Sequence, residues 1–168
     1  MRALQKIQTF PGLVKICQEL RRRGKTIGLI TGCFDILHIG HVELFKFAKK
    51  HCDILVVGLD NDKTIRLSKG KGHPLFNARY RSNMLSAIEY INYIFSIPGV
   101  FKFEDITTEE VHKHIMEKLQ INVLVTNPNA DKFWGRKKQR MKNMPGRLIF
   151  YKRKRLSSST KLAEKLGL

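Results

Sequence analysis

His38 and His41, in the run His38-Ile39-Gly40-His41, are the side chains whose type and spacing most directly suggest chemistry. A short β-branched run over residues 26–30 leads into a glycine-containing turn. Behind the histidines, Val42, Phe45 and Lys49 recur on successive helical turns, with Leu44 and Ala48 beside them. The pair therefore belongs to a strand-to-helix junction, where unpaired backbone N–H groups and the positive end of the helix dipole attract phosphate. Nucleotidyl transfer needs donors and cations around a triphosphate and no protein nucleophile. Two imidazoles beside a helix start meet that need, as N–H donors rather than as full cations. A lone histidine is more often structural; this spaced pair with glycine between is better read as a site.

The elements that must position the pair alternate along the chain. A helix follows Pro11 and ends at Arg21-Arg22-Arg23 and Gly24. Strands are predicted near 26–31, 53–59, 93–96, 121–126 and 148–151. Between them fall a helix to about Lys50, a glycine- and lysine-rich loop over residues 68–74, and a helix over about 77–90. A helix from Thr107 to about Leu119 opens with capping-box spacing in Thr107-Thr108-Glu109-Glu110. A basic helical segment and a last helix from about Thr160 complete the series. This alternation predicts an α/β fold with a parallel, doubly wound sheet of about five strands in a single domain over residues 1–168. Ligands in such sheets bind beyond the carboxyl ends of the strands. His38 and His41 follow the first strand, Asp60 and Asp62 the second, and Ser157–Thr160 the last, so three distant segments converge there.

Composition is that of a globule, with 42% hydrophobic residues and no apolar run near the ~18 residues that cross a bilayer. Cys17, Cys33 and Cys52 form no C-x-x-C pair, and residues 1–10 hold no apolar leader core; reduced thiols and a cytoplasmic setting are expected. The balance of 32 Lys and Arg against 14 Asp and Glu leaves +18, and residues 131–155 alone hold eleven basic residues and one acidic. Such a field attracts polyanions, whether nucleotides, sugar phosphates, nucleic acid or an anionic membrane face. A solvated helix face is the plain alternative.

With these residues in hand, the chain resembles the cytidylyltransferase-like nucleotidyltransferases, which share H-x-G-H with class I aminoacyl-tRNA synthetases. Within them it is most similar to the heptose-phosphate adenylyltransferase type. Four segments carry the resemblance: residues 19–42, D-I-L-V-V-G-L-D-N-D at 53–62, R-L-S-K-G-K-G-H-P at 66–74 with Arg81 beyond, and S-S-T-K-L at 158–162. The resemblance implies a single Rossmann-like sheet of the HUP and nucleotidyltransferase type. It also implies a reaction in which an acceptor phosphate oxygen attacks the α-phosphorus of ATP or CTP and pyrophosphate departs. Mg²⁺ would travel with the nucleotide, with no metal held by the protein alone, and a homodimer is expected. Thr31, Gly32, Cys33, Phe34 and Gly40 would line the triphosphate, with His38 and His41 stabilising its developing charge. Lys69 and Lys71, freed by Gly70 and Gly72, match a mobile lysine loop, and Arg81 offers a fork for phosphate. Ser158, Ser159 and Thr160 match the element that holds the β- and γ-phosphates, and Asn127 falls on the nucleotide side. Asp35 would order its loop or face the acceptor, with Asp60 and Asp62 on the acceptor side.

The chain departs from the family after the strand ending at Val125. There it reads T-N-P-N-A-D-K-F-W-G, with Thr126 where the heptose type has a lysine and without the usual glycines. Either Asn127, Asn129, Asp131 and Trp134 build a different pocket or activity is lost; Trp134 is open to base stacking or to the core. The leading reading is transfer to a phosphorylated sugar of the heptose type, in carbohydrate metabolism, with a glycerol-phosphate type second. A different class of reading is a retired fold using residues 131–155 on nucleic acid or an anionic membrane.

Overall fold

The computed structural model describes residues 3–152. After a 3-10 turn at Ala3–Lys6 come α1 (Phe10–Arg22), β1 (Ile27–Gly32), α2 (Ile39–Lys49), β2 (Ile54–Leu59), α3 (Asp62–Lys69) and α4 (Ala78–Ser86). Then follow β3 (Tyr93–Ser96), α5 (Thr107–Leu119), β4 (Val123–Thr126), α6 (Trp134–Lys142) and β5 (Arg147–Phe150). The strands form a five-stranded sheet in the order β3-β2-β1-β4-β5, every pairing parallel. This is the doubly wound α/β arrangement expected from the alternation.

Alternate strand residues point to opposite faces, and helices cover both, so the strands are apolar throughout. Ile27 and Leu29 of β1, Val56 of β2 and Leu124 of β4 pack toward α1 and α5. Ile30, Val57, Val123 and Val125 face the other way, onto Phe45 of α2 and Leu85 of α4. β1 and β2 run in register from Ile27↔Ile54 to Gly32↔Leu59, and Asp60 N–H extends the ladder to the Gly32 carbonyl at 3.0 Å. The loops leaving β1 and β2 are thereby held side by side.

Three local expectations need correction. The helix expected over 77–90 ends at Ser86, because Asn92 locks the chain onto β2: its N–H donates to Leu55 O and its side-chain oxygen accepts from Leu55 N–H, both at 2.9 Å. Ser68 and Lys69, expected in the loop, close α3, which starts on an Asn61 cap accepting from Thr64 N–H at 2.9 Å. The helix over 107–119 is present without its capping box: Ile106 is the cap residue and makes no side-chain bond, and Thr108 Oγ1 donates instead to Lys102 O at 2.7 Å.

Candidate active site

β1 carries Thr31 and Gly32 to the carboxyl edge of the sheet, and the chain turns away through Phe34, whose φ is 48°. That left-handed backbone folds the Phe34 ring back under the loop, 5.3 Å from the Phe45 ring and edge-on to His41 at 5.3 Å. A side chain on residue 32 would meet the same ring at 3.2 Å, which explains the glycine.

The two histidines build the start of α2. His38 is the cap residue, and its Nδ1 accepts the Gly40 N–H at 3.1 Å. His41 Nδ1 accepts the His38 N–H at 3.4 Å, closing a reciprocal capping box, and the rings stack at 3.9 Å. A nitrogen that accepts carries no proton, so both rings are neutral in this arrangement with the proton on Nε2. The motif thus satisfies two helix-start donors and leaves the proton of each ring on Nε2. Gly40 gives the ring room, since a Cβ there would lie 3.0 Å from His38 Nδ1 and Cε1 and the ring would have to shift by a few tenths of an ångström.

A cavity of about 490 Å³ opens at the carboxyl edges of β1 and β4. Thr31, Gly32, Cys33, Phe34, His41, Asp60, Lys69 and Asn127, all named from the sequence, line it. His38 and Gly40 are not among the lining residues and belong to the cap. Lys71 is exposed and is not among the lining residues; Ser158, Ser159 and Thr160 lie outside the described residues.

Asp35, Asp62 and Arg81 are not among the lining residues and are bound to protein groups. Asp35 binds a loop other than its own: it orders residues 73–76, accepting from Leu75 N–H at 3.0 Å and Phe76 N–H at 3.1 Å, with His73 Nδ1 at 3.3 Å. Arg81 is fully buried. It donates to the carbonyls of Phe76 (2.8 Å), Cys33 and Asp60 (2.9 Å) and to Asp62 Oδ1 (2.6 Å). Asp62 uses its other oxygen on Ala78 N–H at 3.1 Å. The fork expected to meet phosphate instead ties the loops after β1 and β2 to the start of α4.

The far wall was not anticipated. α5 supplies Thr108, Glu109 and His112, and α6 supplies Lys137 and Arg140. His112 Nδ1 donates to Thr108 O at 2.7 Å, and burial, then the Arg140 charge, holds its pKa down at about 4. The turn after β4 does build a pocket wall: Thr126, Asn127, Ala130 and Asp131 line the cavity. Trp134 stays outside it, 37% exposed and edge-on to Phe150 at 5.9 Å. The basic segment is divided. Arg136, Lys137 and Arg140 line the cavity, Lys132 lines it while remaining exposed, and Lys138, Lys142 and Arg147 are exposed and outside it. Among the described residues, no group of three or more His, Cys, Asp or Glu side chains is placed to hold a metal ion, and no helix is long and apolar enough to cross a membrane.

Burial pushes the Asp60 carboxyl up to about 6, with Cys33, Lys137, Arg81 and Lys69 opposing. The same burial, with the Asp60 charge, pushes the Cys33 thiol up. Because the folded value of Asp60 exceeds the unfolded one, its contribution to stability is whole below about pH 4 and is lost as pH rises through about 6. Asp60→Asn is therefore expected to stabilise the chain by about 2–3 kcal/mol at pH 8 and to change little at pH 4, read by urea denaturation at both. An equal effect at the two pH values would remove burial of charge as the cause.

The chain matches the cytidylyltransferase-like family over residues 29–165. The bifunctional protein HldE of Geobacter metallireducens is 40% identical over 89 residues, which are 53% of this chain and 18% of that protein. The HldE protein of Geotalea uraniireducens is 33% identical over 120 residues, 71% of this chain and 22% of that one. The chain thus spans about a fifth of the length of the curated relatives it matches. Among solved structures, a lipopolysaccharide core biosynthesis protein from Thermoplasma volcanium gives a TM-score of 0.57 at 21% identity, covering 79% of this chain and all (100%) of its own. Pantoate–β-alanine ligase from Francisella tularensis gives 0.67 at 17% identity, covering 93% of this chain and 72% of its own. These structures share the fold; the family match extends over most of the chain and includes the paired-histidine cap. On that ground the protein belongs to the cytidylyltransferase-like family of nucleotidyltransferase enzymes.

Proposed function

We propose that the cavity binds a nucleoside triphosphate beside a phosphorylated sugar or polyol and joins them. A phosphate oxygen of the acceptor forms a bond to the α-phosphorus as the bond from that phosphorus to the bridging oxygen breaks, and pyrophosphate leaves with the electron pair. The observation that carries this reading is the reciprocal histidine cap, which uses Nδ1 of His41 and so leaves the proton on Nε2 of a ring that lines the same cavity as Lys69. Donors held in place before the charge develops are the largest source of catalysis in such a site. Mg²⁺ would arrive with the nucleotide as part of the substrate and would supply charge neutralisation at its phosphates, beside Lys69 and His41 of the cavity. Asp35 and Arg81 act from below, fixing the loops on which the lining residues sit.

The four resembling segments and the HldE relatives favour ATP and a heptose phosphate as the pair. CTP with glycerol 3-phosphate stands second. Both are tested by Mg²⁺-dependent pyrophosphate release, offering ATP and CTP each with heptose 1-phosphate, glycerol 3-phosphate and other sugar phosphates. Release with one pair identifies base and acceptor together. Folded protein that binds neither nucleotide would sink the reading.

A further inference from the structure

Lys137 reaches the cavity from the first turns of α6, and its side chain is only 13% exposed. Its ammonium lies 2.8 Å from Asp131 Oδ2. That oxygen also accepts the Thr126 hydroxyl at 2.7 Å, and Asp131 Oδ1 accepts the Phe133 N–H at 2.9 Å. Asp131 is thus fixed from three sides. Lys137 is held less fully: an ammonium carries three N–H donors, and among the described residues its one ion-pair partner is the carboxylate shared with Thr126.

The neighbouring cations are committed differently. Arg140 gives Nε and Nη2 to Glu109 Oε2, at 3.0 and 2.8 Å. Arg136 gives Nη1 and Nη2 to the carbonyls of Phe103 and Glu104, at 3.0 and 2.8 Å. Those forks hold the seam between α5, α6 and the loop before α5. Lys137 holds no such seam, and it acts electrostatically, with Lys69, on the buried Asp60 of the floor. A nearly buried ammonium with donors to spare is costly to keep dry, and an entering anion with several oxygens removes that cost.

We infer that Lys137 is a phosphate-binding residue of this cavity, held in place by Asp131 until a phosphate ester or polyphosphate arrives, and paired across the cavity with Lys69. The nature of the ligand rests on the nucleotidyl-transfer reading. On entry the ammonium turns its remaining donors to the phosphate, while Thr126 and Phe133 keep Asp131 where it is.

The test is calorimetric titration of the full chain with inorganic tripolyphosphate, ATP and CTP. Lys137→Met should weaken tripolyphosphate binding roughly 10- to 100-fold, the worth of a charged hydrogen bond. Lys137→Arg should restore most of it. Asp131→Asn should act in the opposite direction and tighten binding, because it removes the competing anion while its side-chain oxygen still accepts from Phe133. The double variant Asp131→Asn/Lys137→Met, neutral at both positions, should bind more weakly than Asp131→Asn alone and serves if Lys137→Met does not fold. Should Lys137→Met bind all three probes as tightly as the parent while His41→Ala does not, the inference fails and the nucleotidyl-transfer reading stands. It also fails if Asp131→Asn and Lys137→Met weaken binding alike, since a purely structural ion pair gives one sign. Absence of binding by the parent chain to all three probes overturns both readings.

Discussion

His41→Asn is expected to lower the rate of pyrophosphate release by on the order of 10²–10³-fold, as loss of one preorganised donor does elsewhere, while leaving the melting temperature unchanged. The asparagine amide oxygen sits near the place of Nδ1 and can accept the His38 N–H, which His41 Nδ1 now accepts at 3.4 Å. The start of α2 therefore survives. What the shorter side chain lacks is a donor at the position of Nε2. His41→Ala removes cap and donor together, so it should be as inactive and also less stable by about 1 kcal/mol. Comparing the two in one assay, with thermal unfolding alongside, separates helix capping from charge stabilisation. Near-normal activity in His41→Asn would show that the outer ring edge is not the working group.

Arg81→Met should cost about 3–5 kcal/mol, because it leaves the Asp62 carboxylate without its buried partner and three carbonyl oxygens without donors. Arg81→Lys should recover only part of this, since a single ammonium cannot reproduce a planar fork that reaches four acceptors. Urea denaturation gives the magnitude. Loss of tripolyphosphate binding without loss of stability would instead return Arg81 to the ligand.

The fold and the near wall of the site were legible because their signals are local. Strand runs, the strand-to-helix junction and His38-x-Gly40-His41 each lie within a few residues. The roles of Asp35, Asp62 and Arg81 were not legible, because residue type shows that a group is charged and not which group meets it. Arg81 finds Cys33 and Asp60 across separations of 48 and 21 residues. The far wall has a signal of its own in the sequence. The buried stripe of α5 runs Thr108, His112, Ile115, Met116, Leu119, and its two polar members fall together at the amino-terminal end. Polar residues at one end of an otherwise apolar stripe point at the sheet edge where ligands bind. For the altered stretch after β4 the sequence left a different pocket and a lost activity both open. In the structure its Thr126 and Asp131 are bonded to each other and paired with Lys137, eleven positions beyond Thr126, a spacing that no local motif encodes.

The pinning of residues 73–76 by Asp35 and of Phe76 by Arg81 has a consequence for proteases. α3 ends at Lys69, and the exposed residues 70–72, with φ of 90° at Gly70 and 87° at Gly72, hang between that helix and the pinned segment. Trypsin should cut early after Lys69 or Lys71, as exposed glycine-rich tips are cut first, and the two fragments should elute together on gel filtration because neither side of the nick depends on the bond removed. Tripolyphosphate, by drawing these lysines inward, should slow the cut. The segment that resembles a phosphate-closing loop is then also the point at which the chain can be severed and still hold its shape.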